Sequence, residues 1–205
     1  MFKLICKLPR KIYLAYSGGV DSRVALHFLS KNHEITLLHV NTGDTASSLE
    51  VPEVKSVAGM YNLKYELHDR ISEVPAGISK EHYWSCMRKD VFFRKKEPVV
   101  LCHHLDDVIE TWVVSSLQGK PTLMRTQTEN IVRPFLLNSK QKFLAYAERH
   151  ELKWIEDETN SDPEFSQRNF VRNVMMKDVK IVNPGIEKTV VKLLLDRHNK
   201  ERQAM

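Results

Sequence analysis

The chain has 205 residues, 42% of them hydrophobic, with only 7 glycines and 8 prolines. That is enough chain to bury a full core, and the composition excludes the collagen-like, low-complexity and disordered classes. The net charge of +5 is entirely C-terminal: from Arg168 onward there are nine Lys/Arg and four Asp/Glu, while the preceding residues carry 22 of each sign.

A basic end of this kind suits nucleic acid phosphates, and it equally suits a solvated, lysine-rich helix. No apolar stretch reaches the roughly 20 residues of a membrane span. The opening "MFKLICKLPRKIYLAY" is interrupted by lysines and followed by no small-residue cleavage site, so it does not read as a signal peptide. The three cysteines, Cys6, Cys86 and Cys102, are odd in number and show no Cys-x-x-Cys spacing. They read as reduced thiols of a cytoplasmic protein.

In chain order, short apolar runs alternate with longer amphipathic stretches. The runs "IYLAY" at 12–16, "ITLLHV" at 35–40, "LKYEL" at 63–67 and "PVVLC" at 98–102 read as strands. Between and after them, 21–30, 52–61, 80–95 and 104–117 read as helices. This rhythm predicts an α/β fold, a parallel sheet with helices on both faces. After residue 119 the pattern becomes a loop and one short strand, then a helix over "SKQKFLAYAERH". Two terminal helices follow, 168–179 and 185–202, broken by Asn183-Pro184. The expected organisation is a catalytic body over 1–180 and a basic helical tail over 181–205.

Ligands of parallel sheets bind beyond the carboxyl ends of strands, so the loops after Tyr16, Val40 and Cys102 are the places to search. The first reads "SGGVDS". A strand running into Ser17-Gly18-Gly19 and a helix starting near Val20 leaves several backbone N–H groups pointing into one loop, a cradle for phosphate. Ser17 and Ser22 add hydroxyls. No Lys-Ser/Thr follows the glycines, which excludes the G-x-x-x-x-G-K-[ST] loop. Asp21 stands there instead, and a carboxylate beside a polyphosphate calls for a cation between them, so Asp21 suggests Mg²⁺ bridging to ATP.

The loop after Cys102 opens "HHLDDVIET". Helical spacing puts His103, Asp106, Asp107 and Glu110 on one face, with Leu105, Ile109 and Trp112 turned to a core. Three carboxylates on one stripe must be exposed, paired with cations or bound to metal. In "YWSCMRKDVFF", Arg88 falls within the stripe Trp84, Met87, Val91, Phe92, where a guanidinium needs an anion, either a structural carboxylate or a phosphate. Arg168 and Arg172 lie one helical turn apart, as do Asn169 and Asn173, giving paired donors.

"SGGVDS" resembles the pyrophosphatase loop of the N-type ATP pyrophosphatases, which cleave ATP between its α and β phosphates. The resemblance implies that Ser17, Gly18, Gly19, Val20, Asp21 and Ser22 bind the pyrophosphate part of ATP. Residues 133–173, with "RPFL", "AYAE", "W-x-E-D-x-[ST]-N" and "R-N-x-x-R", resemble the tRNA(Ile)-lysidine synthetases, and with the two motifs above the likeness runs in order over about 12–176. It implies an adenine nucleotide alpha hydrolase-like fold and the partners tRNA and free lysine, with a homodimer left open. It also implies ATP-dependent joining of lysine to C2 of the wobble cytidine.

In that mechanism Asp106, Asp107 and Glu110 hold metal or handle the lysine amine, with Asp107 and Glu110 favoured for the lysine. Arg88 meets the α-phosphate, and Arg172 the ATP or the cytidine's phosphate. Two departures stand out: "HVNTGD" replaces the family's Asn-His-Gly-Leu type of turn near 41–44, and further C-terminal domains that many family members carry do not follow. A tRNA thiolase using the same adenylation, which would need paired cysteines, and a non-catalytic nucleotide- or RNA-binding module are the alternatives.

Overall fold

A computed structural model describes residues 1–41, 47–69, 73–156, 162–163 and 166–203. Among these residues six strands form one sheet in the order β3-β2-β1-β4-β6-β5. They are β1 (Lys11–Ala15), β2 (Glu34–Asn41), β3 (Lys64–Asp69), β4 (Val99–Val100), β5 (Gln127–Thr128) and β6 (Ile131–Val132). All neighbours pair in parallel except β5, which runs antiparallel to β6. The helices are α1 (Val20–Leu29), α2 (Ser47–Tyr61), α3 (Lys80–Phe93), α4 (Leu105–Leu117), α5 (Lys140–Arg149), α6 (Gln167–Phe170), α7 (Met176–Val182) and α8 (Ile186–Gln203), with a π-helical turn, Val171–Met175, between α6 and α7.

β1 is the central strand, so it needs apolar side chains on both faces. Ile12, Leu14 and Tyr16 pack toward Val24, Leu26, Val57 and Phe143, on the face covered by α1, α2 and α5. Tyr13 and Ala15 turn the other way, toward Val91 and Phe92 of α3. A third cluster joins Val108, Ile109 and Val113 of α4 to Val171 and to Ile186, Val190 and Leu194 of α8. The α/β architecture with helices on both faces is therefore as the periodicity predicts.

The details differ where the chain leaves the sheet early. β4 keeps only two ladder residues of the expected five, although Tyr13 and Leu101 extend the pairing to Pro98 and Val132 at 2.9 Å each. The single strand expected after 119 is a pair, β5 and β6, turned by Glu129 at φ +52°. α2 begins at Ser47 and carries Pro52 inside it, whereas proline's preference for a first turn placed the start at Pro52. The helix expected over 168–179 is divided by the π turn.

This topology fixes where a ligand can lie. The chain goes from β1 through α1 to β2 on one side, and β4 lies on the other side of β1. The order reverses between β1 and β4, which opens a crevice beyond their carboxyl ends. The phosphate loop and the start of α4 face each other across it.

Candidate functional site

Gly18 takes φ +83°, a backbone conformation that L side chains rarely adopt. A Cβ there would also come within 3.1 Å of Ile155 Cδ1 and 3.3 Å of Glu53 Cγ. The Ile155 amide donates to Gly18 O at 3.0 Å, so the chain after Trp154 closes over the back of the loop. Behind the loop, buried His39 reaches from β2 to Tyr16 O, 2.9 Å from Nδ1, and ties the two strand ends together. Gly19 caps α1 without a side-chain bond, and the first-turn amides have no partner within the helix, which keeps them available to an anion. Ser17 is exposed. Ser22 is buried, and its hydroxyl donates back to Gly19 O at 2.9 Å, so it braces the loop.

Across the crevice, α4 starts at a tightly held turn. Asp107 Oδ2 accepts from the His104 amide at 2.8 Å, the side-chain half of an N-terminal cap. His104, 3% exposed, stands among three carboxylates. Its Nε2 is 3.8 Å from Asp21 Oδ2, and its Nδ1 is 3.6 Å from Asp106 Oδ2 and 3.4 Å from Asp107 Oδ2. Among the described residues Nδ1 makes no hydrogen bond of ordinary geometry. His104 thus joins the phosphate loop to the carboxylate helix.

The cations come from later in the chain. Lys140 Nζ donates to both oxygens of Asp21 at 2.8 Å. Arg172 holds Glu110 in a fork, Nε to Oε1 at 2.8 Å and Nη2 to Oε2 at 2.7 Å, and its Nη2 also reaches Asp107 Oδ1 at 3.3 Å. Arg168 Nη2 lies 3.9 Å from Asp107 Oδ1 and donates to Thr111 Oγ1 at 3.3 Å. The π turn carries Arg172 and so decides how its fork meets α4; such turns widen a helix and recur at functional sites.

Proton affinities follow from this setting. Burial raises the Asp107 carboxyl, but His104, His103, Arg168 and the His104 amide outweigh it and bring it down to about 2. Glu110 is raised by burial in spite of Arg172. Burial brings His103 down to about 4, so it is neutral at pH 7. The site therefore holds one firmly ionised carboxylate beside one that accepts a proton more readily.

The structure brings Asp21, Asp106, Asp107, Glu110 and Arg172 into one connected cluster. Asp107 and Glu110 are buried and paired, not a solvated stripe, while Leu105 and Ile109 point to the core as their spacing predicts. Arg88 stays half-buried on α3; the ion pairs that build the cluster come, among the described residues, from Lys140, Arg168 and Arg172. Trp84 and Met87 of its stripe are only partly buried, and the packing comes from Val91 and Phe92. Residues 42–44 of "NTGD" and 157–160 of the "EDETN" motif lie outside the described residues.

Lys140, His104 and His39 join the site without a sequence reading that singles them out. Lys140 and Asp21 are 119 residues apart, and no local spacing connects them. The available signal was a lysine at the first turn of a helix, where a cation is unfavourable unless something anionic faces it.

Asp21 offers two carboxylate oxygens at the mouth of the loop, and among the described residues no group of three or more His, Cys, Asp or Glu is arranged around a metal ion. That donor set suits Mg²⁺, which is commonly held by one or two carboxylates together with substrate phosphates.

A parallel sheet with a glycine-bearing, amide-rich loop at its switch point, facing a carboxylate helix, defines a phosphate-binding α/β domain. Comparison with known families makes this specific: the chain belongs to the PP-loop domain family, whose model matches residues 3–179. It is similar to the tRNA(Ile)-lysidine synthase of Francisella tularensis subsp. tularensis, 30% identical over 199 residues, covering 89% of this chain and 49% of that protein. The tRNA(Ile)-lysidine synthase of Exiguobacterium sibiricum is 28% identical over 211 residues, covering 96% and 50%. The chain thus spans about half the length of these curated relatives. Among solved structures, the NH3-dependent NAD synthetase of Campylobacter jejuni subsp. jejuni shares the fold, with a TM-score of 0.50 at 14% identity over 95% of this chain and 87% of that one.

Proposed function

We propose that this chain binds ATP across the β1–β4 crevice and uses it to join lysine to C2 of the wobble cytidine of a tRNA(Ile) with a CAU anticodon. The observation that carries this reading is the single cluster linking Asp21 of the phosphate loop through His104 to Asp107 and Glu110. It supports an anion cradle on one wall of the crevice and a pair of carboxylates suited to an amine on the other. The similarity to two tRNA(Ile)-lysidine synthases supports the same reading.

The triphosphate lies against the amides of residues 17–22, where Asp21 would hold Mg²⁺. That ion, when bound, offsets charge on the departing pyrophosphate. The C2 oxygen of cytidine attacks the α-phosphorus, the α–β phosphoanhydride bond breaks, and pyrophosphate leaves. The neutral ε-amine of lysine then attacks C2, and the C2–O bond breaks to release AMP. An ammonium is not a nucleophile, so a carboxylate must first take a proton from it. Glu110, whose proton affinity burial raises, suits that exchange, while Asp107, ionised down to about pH 2, suits holding the charged amine in place. Arg172 occupies both carboxylates in the described state, so lysine enters by displacing the fork from Glu110 toward phosphate.

The test is incorporation of labelled lysine into a CAU-anticodon tRNA with ATP and Mg²⁺. Incorporation by the native chain, abolished in Asp21→Ala and Asp107→Ala, is the expected result. Consumption of ATP with no label in the RNA rejects lysine transfer to this acceptor.

A further inference from the structure

The phosphate loop carries its own counter-ion. Asp21 stands on the first turn of α1, where a bound phosphate would meet it, and Lys140 Nζ contacts both of its oxygens at 2.8 Å. Lys140 is the first residue of α5, and the way α5 begins is unusual. Its N-cap, Ser139, makes no side-chain cap; instead the Lys140 amide donates to Asp106 Oδ2 at 2.7 Å, so a carboxylate on α4 caps α5 from outside. The Lys140 backbone is pinned across the crevice. Its side chain, 36% exposed on a flexible four-carbon stem, is the part left able to move.

A second side chain points at the same place. His104 is 3% exposed, has an unpartnered Nδ1, and turns Nε2 to within 3.8 Å of Asp21 Oδ2. His104 thus sets a buried polar ring edge beside Asp21, while its Nδ1 faces Asp106 and Asp107 on the other side of the ring.

We propose that Lys140 is an exchanging counter-ion: it neutralises Asp21 in the free protein and moves to the β and γ phosphates when a metal–triphosphate arrives, holding the pyrophosphate as it leaves. A divalent cation and an ammonium repel each other, so a metal on Asp21 loosens the hold of Lys140 on the same two oxygens. Displaced there but anchored by Asp106, the ammonium swings on its stem to the phosphates lying beside Asp21. The same residue then screens the loop's carboxylate before binding and meets the charge that develops on the leaving group afterwards. Asp106 accordingly acts as a positioning residue, through the Lys140 amide. This inference rests on the reading of residues 17–22 as an ATP site and is independent of which acceptor or amine is used.

The test uses two probes that need neither tRNA nor lysine: Mn²⁺ alone, followed by its EPR signal, and Mg²⁺–pyrophosphate, followed by calorimetry. In Lys140→Met, Mn²⁺ alone binds more tightly because its competitor at Asp21 is gone. Pyrophosphate binds about tenfold to a hundredfold more weakly, the loss of one charge-assisted bond to an anion. Lys140→Arg, which keeps the charge, restores most of the pyrophosphate affinity and serves as the reading should the methionine variant not fold.

Opposite signs for the two probes establish the exchange. Unchanged pyrophosphate affinity, or a parallel fall in both affinities, overturns it, since a merely structural ion pair would weaken both sites together. Lysine incorporation can fail without affecting either measurement, so failure of the acceptor reading and failure of Lys140's role are told apart.

Discussion

At the scale of residues, the buried carboxylates are the main risk to stability and the source of the site's chemistry. Glu110 is 3% exposed, and Arg172 supplies the fork that makes its burial tolerable. Burial opposes the charge on Arg172, yet Glu110 and Asp107 hold its proton more firmly than usual. Removing one partner of such a pair leaves an uncompensated charge, which costs about 3–5 kcal/mol, whereas removing both is far milder. Arg172→Ala is therefore expected to lower the free energy of urea unfolding by about 3 kcal/mol, and Arg172→Ala with Glu110→Gln is expected to recover a large part of that loss. Additive losses in the double variant would mean that the fork contributes little. The sequence made the carboxylate stripe legible because helical spacing is local. It could not supply the cations, because Arg172 and Lys140 meet their partners across 62 and 119 residues.

At the scale of elements, the apolar periods read well wherever an element is buried on a regular face. Val20–Leu29 with Val24, Ala25 and Leu26 buried, and Leu105–Leu117 with Leu105, Val108 and Ile109 buried, follow their hydrophobic spacing closely. The π turn was not legible. One extra residue in a turn leaves no mark on composition, and 171–175 contains neither glycine nor proline to signal a break. β3, which pairs within the sheet with β2, was legible as a strand, but what holds its outer half is polar. Glu66 accepts from Tyr13 Oη at 2.9 Å and from Lys95 Nζ, and His68 Nε2 lies 3.3 Å away. Burial raises the Glu66 carboxyl, but Lys95, Tyr13 and His68 together bring it below its ordinary 4.5, and Tyr13 in turn is pushed up to about 12 by burial and by Glu66. A carboxyl lowered on folding adds stability that is complete above its unfolded value and is lost as pH falls through the folded one. The stability difference between the native chain and Glu66→Gln should therefore be full at pH 7 and shrink below pH 4.5, as followed by urea midpoints. A difference that is constant from pH 7 to 3 would show that packing, not charge, holds β3.

At the scale of the molecule, the reversal of strand order between β1 and β4 creates the crevice, and the clustered charges gather there from α1, α4, α5, α6 and the π-helical turn. Part of the basic excess, Arg168 and Arg172, belongs to the crevice, and part lies on α8, with five Lys/Arg against three Asp/Glu. α8 packs Ile186, Val190 and Leu194 onto α4, which leaves Lys188, Lys192 and Lys200 exposed on the surface of the helix. Because α4 also carries Asp107 and Glu110, α8 is fixed to the back of the helix that lines the site, and a polyanion lying along it is held in a set relation to the crevice. The charge count from Arg168 onward made this excess legible in the sequence. Only the packing of α8 on α4 relates it to the carboxylates. RNA binding through phosphates releases counterions, so the logarithm of affinity falls with the logarithm of salt by about 0.7 to 0.9 per neutralised phosphate. If α8 carries the tRNA, Lys188→Glu, Lys192→Glu and Lys200→Glu together should weaken tRNA binding and flatten the salt dependence by about 2 units, about 0.7 for each phosphate that is no longer neutralised. ATP affinity should be unchanged, because none of the three lysines enters the crevice network. An unaltered salt slope in the triple variant would place the RNA on another face, leaving α8 as a solvated helix whose role is to pack against α4.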